Sequence, residues 1–158
     1  METFFNPSSV AIIGATEKAG SLPGIILKNL LDMGFKGKMY PVNPKYRDVF
    51  GLKCFPSILD IPDEIALTVI AIPAPLVLDV LKQQAQKRIR HSIIISAGFR
   101  EMGPEGIEME EKIKQVAMEN NIRILGPNCL GVLDNYANFT TSFLPWERVS
   151  KPKKGALS

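Results

Sequence analysis

The residues best suited to chemistry lie in short segments punctuated by glycine and proline, each placed directly after an apolar run. The first is Gly14-Ala15-Thr16-Glu17-Lys18-Ala19-Gly20-Ser21. Glycines let a backbone turn tightly and approach a ligand, amides at a helix start attract anionic oxygens, and Thr16 and Ser21 add hydroxyl donors. The segment lacks the central glycine of Gly-x-Gly-x-x-Gly and the Gly-Lys-Ser/Thr of a Walker loop, so it reads as another kind of phosphate cradle or as a plain chain reversal. The second is Asn43-Pro44-Lys45, followed by Tyr46 and Arg47. An NAD site wants Asp or Glu here for the ribose hydroxyls, whereas a lysine pairs with a phosphate on the adenosine ribose or remains a solvated turn residue. The third, Ile72-Pro73-Ala74-Pro75, offers a rigid apolar ledge for an adenine face, or simply a helix start. The fourth, Ser96-Ala97-Gly98-Phe99, combines backbone donors with a hydroxyl. Gly126-Pro127-Asn128-Cys129-Leu130-Gly131 sets an amide beside a thiol, which reads as a reactive group or as a lone buried cysteine.

Catalytic constellations are missing. The single histidine, His91, precedes an apolar run, which puts it at the end of a sheet opposite to such loops. No Ser/His/Asp order or Gly-x-Ser-x-Gly elbow occurs. Two cysteines without Cys-x-x-Cys spacing and one histidine give no metal site. The carboxylates Glu101, Glu105, Glu108, Glu110 and Glu111 suit a solvated helix face with partners such as Glu110 to Lys114.

The elements that would position these loops alternate. Strands are expected at 9–13, 38–42, 52–54, 65–72, 92–95 and 123–125, and helices at 24–33, 75–87 and 105–120. Gly34 suits a helix C-cap, and Pro41 argues for an edge strand. The run at 65–72 has no polar residue beyond Thr68, as a central parallel strand covered on both faces requires. In the last helix Ile107, Ile113, Val116 and Ala117 should face the core. This alternation predicts an α/β fold, a Rossmann-like doubly wound, mainly parallel sheet with helices on both faces. Residues 1–133 form the expected domain. Residues 134–158 lose both periods and are expected to form an irregular arm, anchored by Phe139, Phe143 and Trp146, that runs into a second domain at 154–158.

Composition agrees with a folded chain: 158 residues, 46% apolar and 22% charged, with a net charge of +3. That charge is small and scattered, against nucleic acid as a partner, and the one basic stretch, Lys151 to Lys154, reads as a solvated tail. No run reaches the ~18 apolar residues of a membrane span. The N-terminus has no basic start followed by an apolar run, so a cytoplasmic setting without a signal peptide is expected.

The motifs Ser9-Val-Ala-Ile-Ile-Gly-Ala15, Lys36-Gly-Lys-Met-Tyr-Pro-Val-Asn-Pro-Lys45, Ile70-Ala-Ile-Pro-Ala-Pro75, Ile94-Ile-Ser-Ala-Gly-Phe99 and Gly126-Pro-Asn-Cys-Leu-Gly-Val132 follow one another in an order that resembles a known family. It is the N-terminal coenzyme A-binding domain of NDP-forming acyl-CoA synthetases, acetate–CoA ligases among them, related to the succinyl-CoA ligase alpha subunit. The resemblance implies that Gly14, Ala15, Thr16, Lys18 and Ser21 hold coenzyme A phosphates and that Asn43, Pro44 and Lys45 lie near the adenosine phosphate. It implies that Ile72, Pro73, Ala74, Pro75, Ile95, Ser96 and Ala97 line the cofactor, with Asn128 and Cys129 toward the thiol end. Glu17 and Lys18 stand where succinyl-CoA ligases carry a Gly-Ser-Gln stretch, so this phosphate loop differs in detail. The family's phosphorylated histidine belongs to another domain, which implies a chain that binds coenzyme A, carries no catalytic residue or metal, and works with remaining ligase domains or a partner subunit. Oligomerisation stays open. Two other readings stand beside it: a coenzyme A- or nucleotide-sensing domain of a protein acetyltransferase, and an NAD-binding redox-sensing domain.

Overall fold

In the computed structural model, residues 2–146, 148–150 and 155 are described. The basic stretch at 151–154 and, Gly155 apart, the run into a second domain expected at 154–158 lie outside these residues.

The chain runs β1 (Ser9–Ile13), α1 (Leu22–Met33), β2 (Lys38–Val42), β3 (Asp48–Val49), β4 (Leu52–Lys53), β5 (Leu67–Ile70), α2 (Val77–Gln86), β6 (His91–Ile94), α3 (Pro104–Glu119), β7 (Arg123–Leu125), β8 (Leu133–Asp134) and β9 (Phe139–Thr140). Five strands form one sheet in the order β2-β1-β5-β6-β7, and every pairing in it is parallel. This is the Rossmann-like, doubly wound α/β architecture expected from the alternation of runs. Strand alternation divides the core. Val10 and Ile12 of β1, Leu67 and Val69 of β5 and Ile93 of β6 pack with Ile26, Leu27 and Leu30 of α1. Ala11, Ile13, Ile70 and Ile94 face α2 and α3, through Val77, Leu81 and Ile113. Apolar residues on both faces are what a central parallel strand needs, since helices cover both sides.

Details follow from local chemistry. Gly34 closes α1 in the left-handed region, φ 72°, with its N–H on the carbonyls of the last turn. Pro41 sits in β2, the edge strand, where a residue lacking N–H is tolerated. Thr68 is fully buried beside Ser92 and Gln84, and its hydroxyl lies 2.8 Å from Gln84 Oε1 and 2.9 Å from Ser92 Oγ. Gln84 Nε2 donates to the carbonyls of Ile89 and His91, each at 3.3 Å.

Two expectations about α3 are corrected. Ile107 is 45% exposed, because the buried stripe runs through Gly106, Ile113 and Ala117. Gly106 rides against the Phe99 backbone so closely that a Cβ there would lie 1.8 Å from Phe99 O, which turns its neighbour Ile107 outward. Glu110 pairs with Arg100 at 2.7 Å, and Lys114 with Glu111 at 3.4 Å. A tertiary partner takes the place of the helical one.

The stretch after residue 133 packs on the α1 face. Phe139 is fully buried against Phe35, ring centroids 5.1 Å apart, in the β8–β9 hairpin. Asn29 Nδ2 donates to Ser142 O at 3.0 Å and Leu144 O at 2.9 Å, tying the arm to α1. Phe143 and Trp146 are half-buried. No helix among the described residues is long and apolar enough to cross a membrane.

Candidate functional site

The strand order reverses between β1 and β5, whose connections leave in opposite directions and open a crevice at their carboxyl ends. Gly14 occupies the first position past β1, at φ 93°. A Cβ there would come within 2.8 Å of both Ala71 O and Ile72 Cγ2, so the two lips of the crevice meet across a glycine. The loop that follows is held by side chains from the β2 end. Asn43 Nδ2 donates to Ala15 O at 2.9 Å, while Asn43 Oδ1 accepts from Lys45 N at 3.0 Å. Thr16 Oγ1 donates to Tyr46 Oη at 3.1 Å and accepts from Lys18 N at 3.2 Å. Glu17 Oε1 accepts from Phe50 N in the β3–β4 turn, which draws that carboxylate toward the hairpin. Ser21 stands at the N-cap of α1 without a side-chain capping bond. Its hydroxyl oxygen is buried and has no partner. Close by, a Cβ on Gly24 would lie 2.6 Å from that oxygen and 2.5 Å from Thr16 O.

The crevice widens into a cleft of about 590 Å³. Of the residues singled out by sequence, Gly14, Thr16, Lys18, Asn43, Pro44, Lys45, Ile72 and Pro73 line it together. Two lysines therefore enter from the loops after β1 and β2, and an apolar shelf enters from the loop after β5. The opposite wall was not visible in the sequence: Ser57, Leu76, Asp79, Val80 and Gln83 line it, while Tyr46 joins the lining from the loop after β2.

The other residues singled out take different places. Ala15 is buried beneath the backbone of the loop after β1, and Ser21 lies behind it at the helix start. Ala74 is buried and Pro75 exposed in the single 3-10 turn Ala74–Leu76 that leads into α2. Ile95, Ser96, Ala97, Asn128 and Cys129 gather beyond β6 and β7, beside the cleft lining rather than in it. Ser96 Oγ accepts from Ile72 N at 3.1 Å and stitches the ends of β5 and β6 together. Asn128 N donates to Ser96 O at 3.0 Å, so the last loop leans on that stitch. The Cys129 thiol lies 3.5 Å from Ile94 O, and burial pushes its pKa up, the reverse of thiolate activation. His91 begins β6 at the opposite end of the sheet, edge-on to Phe4 with ring centroids 5.2 Å apart. Burial and the charge of Arg123 hold its pKa down. Among the described residues no group of three His, Cys, Asp or Glu side chains is placed to hold a metal.

Such a cleft can receive an anionic group on the lysine side and a flat apolar group on the Ile72-Pro73 shelf. Comparison with known proteins gives this geometry a context. Residues 8–135 match the family model described as a CoA binding domain. The chain is similar to an ADP-forming acetate–CoA ligase of Methanocaldococcus jannaschii, 46% identical over 149 residues that cover 94% of this chain and 20% of the relative. It is similar to the alpha subunit of ADP-forming acetate–CoA ligase I of Pyrococcus furiosus, 40% identical over 96% of this chain and 34% of the subunit. Among solved structures, an acetyl-coenzyme A synthetase 1 of Ca. Korarchaeum cryptofilum, in complex with phosphate and ADP, superposes with a TM-score of 0.87 at 38% identity. That match covers 91% of this chain and 31% of the synthetase chain. The chain thus spans 20% to 34% of the length of these relatives.

Proposed function

The chain belongs to the CoA-binding-domain family, and from that membership we propose that its cleft takes the phosphorylated adenosine end of coenzyme A on behalf of an ADP-forming acyl-CoA synthetase. The observation that carries this reading is the position of the cleft. It lies at the switch point of the sheet, with Lys18 and Lys45 on one side and Ile72-Pro73 on the other.

The residues present fit such a ligand. The buried, unpartnered Ser21 hydroxyl at the start of a twelve-residue helix is a donor in need of an acceptor, and helix amides favour anionic oxygens there. Gly24 leaves the space beside it clear of a side chain. In this reading the pyrophosphate lies along Gly14 to Ser21, and Lys45 pairs with the phosphate on the ribose. Adenine rests on the ledge of Ile72 and Pro73. The pantetheine arm then passes Ile95, Ser96 and Ala97, with Asn128 and Cys129 nearer the thiol. Cys129, with its raised pKa, serves as lining and not as a nucleophile.

The larger enzyme would convert an acyl-CoA, ADP and phosphate to the free acid, coenzyme A and ATP. The P. furiosus relative being an alpha subunit supports partner domains or a partner subunit for the chemistry. This chain supplies the grip on the carrier: two cationic side chains, backbone donors and an apolar shelf, with the reactive thiol carried elsewhere.

Thermal unfolding with coenzyme A, 3′-dephospho-coenzyme A, NADH and no ligand tests the reading. A ligand at about 100 times its Kd adds ~2.7 kcal/mol, a rise in midpoint of roughly 5–10 °C for a domain of this size. The largest rise belongs to coenzyme A. A rise with NADH alone would replace this reading with a redox-sensing one.

A further inference from the structure

The wall of the cleft formed by α2 and the turn at Ser57 carries polar groups with no part in phosphate binding. We propose that Asp79 and Gln83 are a base-reading pair that selects adenine in the bound nucleotide. This proposal rests on the coenzyme A reading of the cleft.

Ser57 sets the geometry. Its hydroxyl oxygen accepts from Leu59 N at 3.1 Å, capping the short turn Ile58–Asp60. The single hydroxyl proton then goes to Gln83 Oε1, 2.8 Å away. In this arrangement the Gln83 carbonyl oxygen faces the hydroxyl as the acceptor of its proton, which turns the NH2 away from Ser57. The Gln83 Nε2 donor is left for the cleft that the residue lines. Asp79 lines the same cleft from one turn earlier on α2, on the same helical face. Its ion pair with Lys82, at 3.8 Å, joins two largely exposed side chains and is weak.

An acceptor and a donor thus stand side by side on one wall. The edge of adenine offers the complement, an amino donor beside a ring-nitrogen acceptor. Hypoxanthine inverts it, with a carbonyl in place of the amine and a protonated N1. The placement of charge agrees. Lys18 and Lys45 come from the β1 and β2 loops, while the carboxylate comes from α2, where it would repel a phosphate but attract an exocyclic amine. Leu76, 52% exposed in the lining, and Pro73 give the ring an apolar face beside this pair.

The test is calorimetric binding of coenzyme A, adenosine 3′,5′-bisphosphate and inosine 3′,5′-bisphosphate to the wild-type chain, Asp79→Ala and Gln83→Glu, with unfolding midpoints to confirm that each variant is folded. Gln83→Glu keeps an acceptor for Ser57 and replaces the donor with an acceptor. The wild type should prefer the adenosine compound by about 10-fold or more, the effect of one charge-assisted hydrogen bond, and each variant should narrow that ratio to about 3-fold or less. If coenzyme A binds but the wild type does not discriminate, or the ratio survives in both variants, Asp79 and Gln83 do not read the base and the coenzyme A reading is untouched. If neither coenzyme A nor either bisphosphate binds, the coenzyme A reading fails and the base-reading pair with it.

Discussion

Gly14→Ala tests the closeness of the two lips of the cleft, with Gly20→Ala as its control. Both glycines have positive φ, 93° at Gly14 and 74° at Gly20, so alanine meets backbone strain of roughly 1–2 kcal/mol at either position. They differ in what surrounds them. A Cβ on Gly20 meets nothing within 4 Å, whereas one on Gly14 meets Ala71 O and Ile72 Cγ2 at 2.8 Å. Ala71 O is backbone at the end of a central strand and cannot swing aside, so relief requires β1 and β5 to part at their carboxyl ends. Overpacking of that kind costs about 1–3 kcal/mol beyond the torsional strain. The total for Gly14→Ala is about 3 kcal/mol, a fall in midpoint of roughly 6–12 °C, against about 2–8 °C for Gly20→Ala. Urea unfolding followed by circular dichroism separates the two free energies directly. Because Ala71 and Ile72 line the cleft, the Gly14 variant should also lose coenzyme A affinity out of proportion to the control. Equal destabilisation by the two substitutions would refute the close approach of Gly14 to Ala71 and Ile72.

Other expectations concern single side chains. Lys45→Ala should weaken coenzyme A by roughly 10- to 100-fold by titration calorimetry and leave 3′-dephospho-coenzyme A nearly unchanged; equal losses would show that Lys45 does not read the ribose phosphate. Gln84→Leu strips partners from Thr68, the Ile89 and His91 carbonyls at once, and should cost about 2–4 kcal/mol in urea unfolding, with part recovered by adding Thr68→Val. Asp63 accepts from Tyr40 and Lys38, and these hydrogen bonds hold its carboxyl below the usual range. A lowered folded-state pKa means that its contribution is complete above about pH 4 and is lost as pH falls through the folded value, so Asp63→Asn should flatten the acid limb of a midpoint-against-pH curve. Tyr40, pushed up to about 12 by burial and by the Asp63 hydrogen bond, stays neutral throughout that range.

What the sequence made legible, and what it did not, divides by the range of the interaction. The parallel sheet was legible because each strand is a local run of apolar residues, and its loops because glycine and proline end those runs in place. The β3–β4 hairpin escaped because its two-residue turn is Phe50-Gly51, with Phe50 itself at φ 51°, and lacks the Asn-Gly or Asp-Gly that marks such turns. Ile107 was misplaced because its helical stripe is shifted by Gly106 against Phe99, a contact between elements. The site divides in the same way. Gly14, Thr16 and Lys45 stand out because their loops follow strands, and strand ends are where a sheet of this order binds ligands. Ser57, Asp79 and Gln83 are ordinary turn and helix-surface residues in sequence, and nothing in their spacing joins residue 57 to α2. Only the packing of the Ile58–Asp60 turn against α2 brings Ser57 Oγ to Gln83 Oε1 and sets that glutamine in the cleft wall. The half of the cleft built from the loops after β1 and β2 is therefore encoded by local turns, while the half facing α2 is encoded by a tertiary contact. Under the proposed base reading, a change in ligand base would come most readily through Asp79 and Gln83, since these positions can vary without disturbing the turns of the loops after β1 and β2.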